Sequence, residues 1–375
     1  MLLSRVKQTL AALAGSALLV CSGGASADYG LNLPRGVTPI SKEAYDLHML
    51  IMWICVAIGV VVFGAIFISI LKHRKSKGAK PATFHESTTV EIIWTIVPFL
   101  ILIGMAIPAT KALVAMEDTS NPDLSIKVTA YQWKWGYDYM DEGVSFISSL
   151  STPKEQILNQ QDKGEHYLLE VDNPLVVPVN KKVRLLLTAN DVIHSWWVPD
   201  LGMKKDAIPG FVNEMWFRAD EEGTYRGQCA ELCGKDHGFM PIVVVAKNEA
   251  DYQQWVTAQK TAMDADAAAA GRDWNMAELM ERGEKVYNSS CAACHQANGE
   301  GVPGAFPGLK GGAIVTGPKD AHVDIVLNGK PGTAMAAFGG QLNDIDLAAV
   351  VTYERNAWGN DKGDLVQPSE VKAAR

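Results

Sequence analysis

Two long apolar runs dominate the hydropathy of this chain, at residues 45–71 and 90–116. Each is a stretch of about 20 or more mostly apolar residues, enough at ~1.5 Å rise per residue to cross a ~30 Å hydrocarbon core. The pair predicts a transmembrane hairpin. A shorter apolar run, residues 10–20, follows Arg5 and Lys7 and is closed by Ala25, Ser26 and Ala27. That pattern predicts a secretory leader over residues 1–27, cut after Ala27. A lipoprotein-type cut before Cys21 is the alternative, and Val20 is larger than such sites prefer.

Downstream the period shortens to two. Segments 124–139, 167–172, 182–188, 214–219, 223–228 and 242–247 alternate apolar and polar positions between turn residues, which predicts an all-β sandwich or barrel. An alanine-rich stretch, 262–270, then marks a linker or a loosely held helical spacer. Beyond it residues 277–288 and 344–353 follow a helical period, as the first and last helices of a small domain. A Gly- and Pro-rich segment at 298–317 lies between them. The polar tail after Gly359 reads as poorly ordered.

Charge orients these parts. Lys72, Arg74, Lys75, Lys77 and Lys80 crowd the loop between the two spans and should keep it cytoplasmic, with both mature ends outside. The formal net charge is −8, and loss of Arg5 and Lys7 with the leader makes it two units more negative. An acidic outer region suits a basic redox partner and argues against nucleic acid. Of six cysteines, Cys21 leaves with the leader and Cys55 sits in a span as a small apolar filler. The other four fall in two motifs, which leaves none for a disulfide framework.

In the first motif Cys229, Cys233, His237 and Met240 stand within twelve residues. Their spacing could share one helical face, but Gly227, Gly234 and Gly238 point to a loop on which ligands converge. His194 is the best further ligand. Zinc on His194, Cys229, Cys233 and His237 is a competing reading. It leaves Met240 unused, whereas a thioether suits copper. A single blue-copper ion would leave one cysteine over. Two thiolates bridging two copper ions, with one histidine on each and Met240 and a backbone carbonyl as weak ligands, use every donor. The second motif, Cys291-Ala-Ala-Cys294-His295, is the c-type haem attachment pattern, with two thiols for the vinyl groups and an imidazole for the iron.

His194-Ser-Trp, Asp206-Ala-Ile-Pro-Gly210, Gln228-Cys-Ala-Glu-Leu-Cys-Gly234 and His237-Gly-Phe-Met-Pro241 resemble subunit II of the cytochrome c oxidases, in the version with a fused cytochrome c. The resemblance runs from the paired spans to Trp358. It implies a cupredoxin-like domain holding binuclear copper through His194, Cys229, the Glu231 carbonyl, Cys233, His237 and Met240. It also implies the Glu231 carboxylate as a magnesium ligand facing subunit I. Quinol-oxidising members lack these copper ligands, and this chain keeps them.

Tyr131, Trp133, Trp135, Tyr137 and Tyr139 alternate with polar or small residues, so a continuous strand puts five aromatics on one face. Packing is the ordinary use of most of them. The resemblance makes Trp133 the point where electrons enter the copper centre. Glu91 opens the second span, where a carboxylate suits a helix N-terminus. The resemblance places such a glutamate at the mouth of a proton pathway into subunit I, with Glu86 nearby as the competing candidate. After the haem motif, Gln296 to Gly301, Pro303 and Phe306 to Leu309 resemble a class I cytochrome c, which implies Met335 as the sixth iron ligand. Ala336 stands where that family often has proline.

The expectation is a multidomain membrane protein. It comprises a leader (1–27), a two-helix transmembrane hairpin (28–116), an all-β cupredoxin-like domain (117–258), a linker (259–273), an all-α class I cytochrome c domain (274–360) and a polar tail (361–375). Its role is electron entrance to a terminal oxidase in a bacterial inner membrane. Its partners are subunits I and III, membrane lipid and an external cytochrome c or other redox donor. The chain itself lacks an oxygen-reducing site, because no histidine falls well inside either span. The rivals are a tethered electron carrier without an oxidase and a zinc-stabilised interaction protein. Nitrous oxide reductases share the copper loop but need a large propeller domain.

Overall fold

The first apolar run folds as helix α1 (Pro39–Lys72) and the second as α2 (Thr88–Glu117) in the computed structural model, which describes residues 32–80, 83 and 85–375. The expected leader and Cys21 lie outside the described residues. Thr38 starts α1: its hydroxyl accepts the Ser41 N–H at 2.9 Å, Ser41 Oγ accepts the Thr38 N–H at 3.0 Å, and Pro39 occupies the first turn. The Thr38 hydroxyl also donates to the Leu201 carbonyl at 2.9 Å, which ties the helix start to the β domain. The end of α2 is tied there too, through Trp216 Nε1 donating to the Ala115 carbonyl at 3.1 Å and a Lys205–Glu117 pair at 3.0 Å. The basic loop therefore lies at the opposite end of the hairpin from the β domain. The helix sides are apolar and exposed, as at Val61 and Val114.

The β domain has ten strands: β1 (Leu124–Tyr131), β2 (Lys134–Tyr139), β3 (Val144–Ser148), β4 (Leu175–Pro178), β5 (Val183–Ala189), β6 (His194–Val198), β7 (Met203–Ala207), β8 (Asn213–Phe217), β9 (Gly223–Cys229) and β10 (Pro241–Lys247). They form two five-stranded sheets, ordered β3-β2-β1-β5-β8 and β4-β10-β9-β6-β7. Pairs β1–β5 and β4–β10 are parallel and the rest antiparallel. Trp135, Tyr137, Tyr139, Trp196, Phe217 and Leu185 are buried in the core. This is the expected cupredoxin-like sandwich.

Two strand expectations need correction. Residues 124–139 are not one strand but a hairpin that reverses at Gln132 and Trp133, with Tyr131 paired to Lys134. The reversal is held from outside the hairpin, because the Gln132 N–H donates to Asp191 Oδ2 at 2.7 Å. Trp135, Tyr137 and Tyr139 share the buried face of β2, while Tyr131 and Trp133 leave it. Residues 167–172 are turns, closed by local bonds such as Leu169 N–H to the His166 carbonyl at 2.8 Å. Only a single bridge, Leu150 to Val171, remains there.

Helix α3 (Glu249–Ala269) leaves β10 directly, capped by Asn248 accepting the Asp251 N–H at 3.0 Å. It buries Tyr252 and Val256 on the sandwich core. Residues 259–269, expected as linker, continue this helix. Next come α4 (Met276–Ser290), a single turn (Ala292–His295), α5 (Lys319–Asn328), α6 (Asp344–Asn356) and α7 (Pro368–Ala374). Helices α4 and α6 cross at Gly283, where a Cβ would lie 2.1 Å from the Ala349 carbonyl oxygen. Only glycine permits that approach. The tail is a further correction. Val366 and Val371 are fully buried, and Arg375 pairs with Asp344 at 2.6 Å. Apolar side chains in a mainly polar stretch give α7 a face to bury against α6.

Candidate metal centres

The first motif becomes a loop between two adjacent strands. Cys229 ends β9, Cys233 lies in the turn, His237 opens a short 3-10 helix (His237–Phe239) and Met240 immediately precedes β10. His194, from 35 residues earlier, begins β6, which pairs with β9 at Trp196 and Cys229. Sheet pairing thus carries a distant imidazole to the loop. Sγ of Cys229 lies 3.8 Å from Sγ of Cys233, 3.9 Å from His194 Nδ1 and 3.4 Å from the Glu231 carbonyl oxygen. Sγ of Cys233 lies 3.5 Å from His237 Nδ1 and 4.0 Å from Met240 Sδ.

All six sequence-predicted donors therefore gather around the sulfur pair, none more than 4.0 Å from one of the two sulfurs, with His194, Cys229 and Cys233 within 4.8 Å of one another. His194, Cys229, Cys233 and Met240 are buried. The Glu231 side chain instead points outward at the loop tip, where it is exposed. The contact with Cys233 keeps the Cys229 thiol well below its usual range, against burial and with help from His194. The same contact, with burial, pushes the Cys233 thiol up. The soft, mixed N and S donor set fits copper.

Residues around the cluster were only partly foreseen. His194 Nε2 lies 2.8 Å from Asp191 Oδ1, which turns Nδ1 toward Cys229. Burial alone would lower the His194 pKa, but the hydrogen bonds and charges of Asp191 and Cys229 raise it. Gln132 Nε2 and Trp133 Nε1 both donate to the Cys233 carbonyl, at 2.8 and 3.2 Å. They reach it because residue 234 is glycine: a Cβ there would meet Gln132 at 3.0 Å and Trp133 at 3.1 Å, and its φ is +120°. Trp133 is half-buried and in direct hydrogen-bond contact with the cysteine loop.

In the helical domain Cys291 caps α4, and the His295 N–H donates to its carbonyl at 3.0 Å, so the motif occupies a single turn. His295 is buried, with Nδ1 at 2.9 Å from the Pro307 carbonyl. The carbonyl accepts from Nδ1–H, so Nε2 carries the lone pair that haem iron needs. Burial pushes the Cys291 thiol well up, and that of Cys294 up as well. Met335 lies in the loop between α5 and α6, half-buried, its carbonyl accepting the Lys330 N–H at 2.9 Å. Tyr287, Tyr353 and Trp358 pack together with ring centroids 4.7–5.6 Å apart. Glu91 occupies the first turn of α2, remote from the β domain.

A copper-type Cys/His cluster in a β sandwich, beside a helical domain with a c-type motif and below it a membrane hairpin, defines an electron-transfer subunit of a haem-copper oxidase. The comparisons agree. Residues 124–247 match the family model for cytochrome c oxidase subunit II, periplasmic domain, and residues 26–112 match its transmembrane domain. Residues 278–353 match the model for cytochrome c oxidase, cbb3-type, subunit III. The chain is 41% identical over 229 residues to a probable cytochrome c oxidase subunit 2 of Rickettsia prowazekii, covering 60% of this chain and 72% of that one. It is 36% identical over 240 residues to cytochrome c oxidase subunit 2 of Cereibacter sphaeroides, covering 60% and 79%. The crystal structure of the periplasmic domain of subunit II of cytochrome oxidase from Bradyrhizobium japonicum matches 38% of this chain and 98% of that one, at 43% identity and a TM-score of 0.35. The chain belongs to the cytochrome c oxidase subunit II family. It is a membrane protein with a copper domain and a cytochrome c domain, and it works with the other subunits of an oxidase complex.

Proposed function

We propose that His194, Cys229, Cys233, His237, Met240 and the Glu231 carbonyl hold two copper ions, and that Cys291 and Cys294 attach a haem whose iron takes His295 and Met335. When bound, these groups supply reversible one-electron chemistry, carrying electrons from an external cytochrome c or other donor toward subunit I. The convergence of three side chains and one carbonyl on two cysteine sulfurs 3.8 Å apart carries the reading. Zinc is the weaker reading, since it has no use for Met240 at 4.0 Å from Cys233.

The protein's own work is positioning. Asp191 orients His194, and Trp133, hydrogen-bonded to the Cys233 carbonyl, gives electrons a delocalised route to the cluster. The exposed Glu231 carboxylate is free to share a magnesium ion with subunit I. Glu91 serves a proton path into subunit I, at the end of the hairpin where the basic loop faces the cytoplasm. Both metal domains then face the periplasm, and subunit III and lipid complete the surroundings of the hairpin.

Metal and haem counts on the purified complex test this. The expected result is two copper ions and one covalent haem per chain, with a mixed-valence copper signal lost in Cys233→Ser. Stoichiometric zinc at this site overturns it.

A further inference from the structure

Lys134 has no part in the reading above, yet it is the first residue of β2 and follows Trp133 directly. Its side chain is only 5% exposed. Lysine is rarely buried to this degree without an acidic partner. Here the Cys291 thiol first, then Asp172 and Asp191, act on it through space rather than through an ion pair. The ammonium instead reaches across to the haem domain. Nζ lies 3.5 Å from Ser290 Oγ, the residue before Cys291, and 5.1 Å from the centre of the Phe338 ring, three residues after Met335. One buried cation therefore touches both segments that carry the haem-binding residues, from the strand that follows the electron-accepting tryptophan.

We propose that Lys134 is an electrostatic positioning residue for electron delivery, whose buried charge favours the reduced haem domain and couples its redox state to its docking on the copper domain. The inference rests on the assignment of Cys291 and Cys294 as haem-bearing. A group held there gains one negative charge when it takes one electron from the external donor. A nearby ammonium in a poorly solvated seam stabilises that state. Burial already strains the ammonium, pushing its pKa down to about 8, so an added negative charge nearby offsets part of its lost hydration. By linkage, whatever the docked lysine adds to reduction, reduction adds to docking. The haem domain then sits most firmly against the copper domain when it holds the electron to be passed on.

The test compares Lys134→Met, similar in length and uncharged, with Lys134→Arg in the intact oxidase, after copper and haem counts confirm both centres are loaded. Redox titration of the c-type haem band should show a lower potential in Lys134→Met, by about tenfold in the electron-partition constant or about 59 mV for one electron. Lys134→Arg should stay near the parent value. Amide exchange over 286–291 should be slower in the reduced than in the oxidised parent, and the difference should vanish in Lys134→Met. An unchanged potential in Lys134→Met, an equal fall in Lys134→Arg, or exchange independent of redox state in the parent overturns the proposal. None of these outcomes touches the metal and haem counts that test the assignment of the centres.

Discussion

Asp191 Oδ1 lies 2.8 Å from His194 Nε2, while its Oδ2 accepts the Gln132 N–H at 2.7 Å. One carboxylate therefore orients a copper-facing imidazole and holds the turn that presents Trp133. The ligand set and the electron route share a support.

Asp191→Asn keeps the shape but gives His194 a weaker acceptor. Copper affinity should fall by about 10–100-fold, the usual cost of losing such an outer partner. Competition with a chelator of known affinity measures it, and parental affinity would show that β6 alone orients the imidazole.

Trp133→Phe keeps an aromatic ring at the turn but removes the indole and its hydrogen bond to the Cys233 carbonyl. Electron transfer into copper should slow while the copper spectrum persists. Flash-induced kinetics with rates equal to the parent would return Trp133 to a packing role.

In Met335→Ala the haem should stay attached through Cys291 and Cys294, with His295 still bound to iron. Its potential should drop, because methionine paired with histidine raises it. An unchanged potential would point to a different sixth ligand.

Gly283→Val places side-chain atoms where a Cβ alone would already lie 2.1 Å from the Ala349 carbonyl and 2.6 Å from Tyr353 Cβ. Backbone cannot yield cheaply there. The cytochrome domain should lose at least 1–3 kcal/mol, the usual range for overpacking, and show a lower melting temperature by haem-band absorbance while the copper domain melts as before.

Raising the pH through about 8 should discharge Lys134. The sign follows from the group: the protonated amine favours reduction, so the haem potential should fall as pH rises across this window. The groups that act on it through space are the Cys291 thiol, Asp172 and Asp191. A Lys134→Met variant should titrate flat over the same range, and a parent that is equally flat would remove the lysine from the redox balance.

Much of the site was legible along the chain because its chemistry is local. The loop from Cys229 to Met240 carries five of the six donors, and Cys291 to His295 carries three haem-binding groups in one turn. Apolar runs of spanning length declare themselves by composition alone. Strand 194–198 was missed, although His194 was singled out, because its five residues lie in a mixed polar and aromatic context that periodicity does not resolve. The hairpin at Gln132 was missed because the bond that secures it comes from Asp191, 59 residues away. The tail was misread because its composition is polar, while Val366 and Val371 suffice to dock it.

The amino-acid order by itself determined which groups could bind metal, which segments could cross a membrane and which domains follow one another. These depend on residue type and on neighbours within a dozen positions. Only the tertiary structure decided that His194 meets Cys229, that Trp133 reaches the cysteine loop and that Lys134 is buried against Ser290. Those relations depend on sheet register and domain packing, where the free energy of bringing distant residues together is a property of the whole fold.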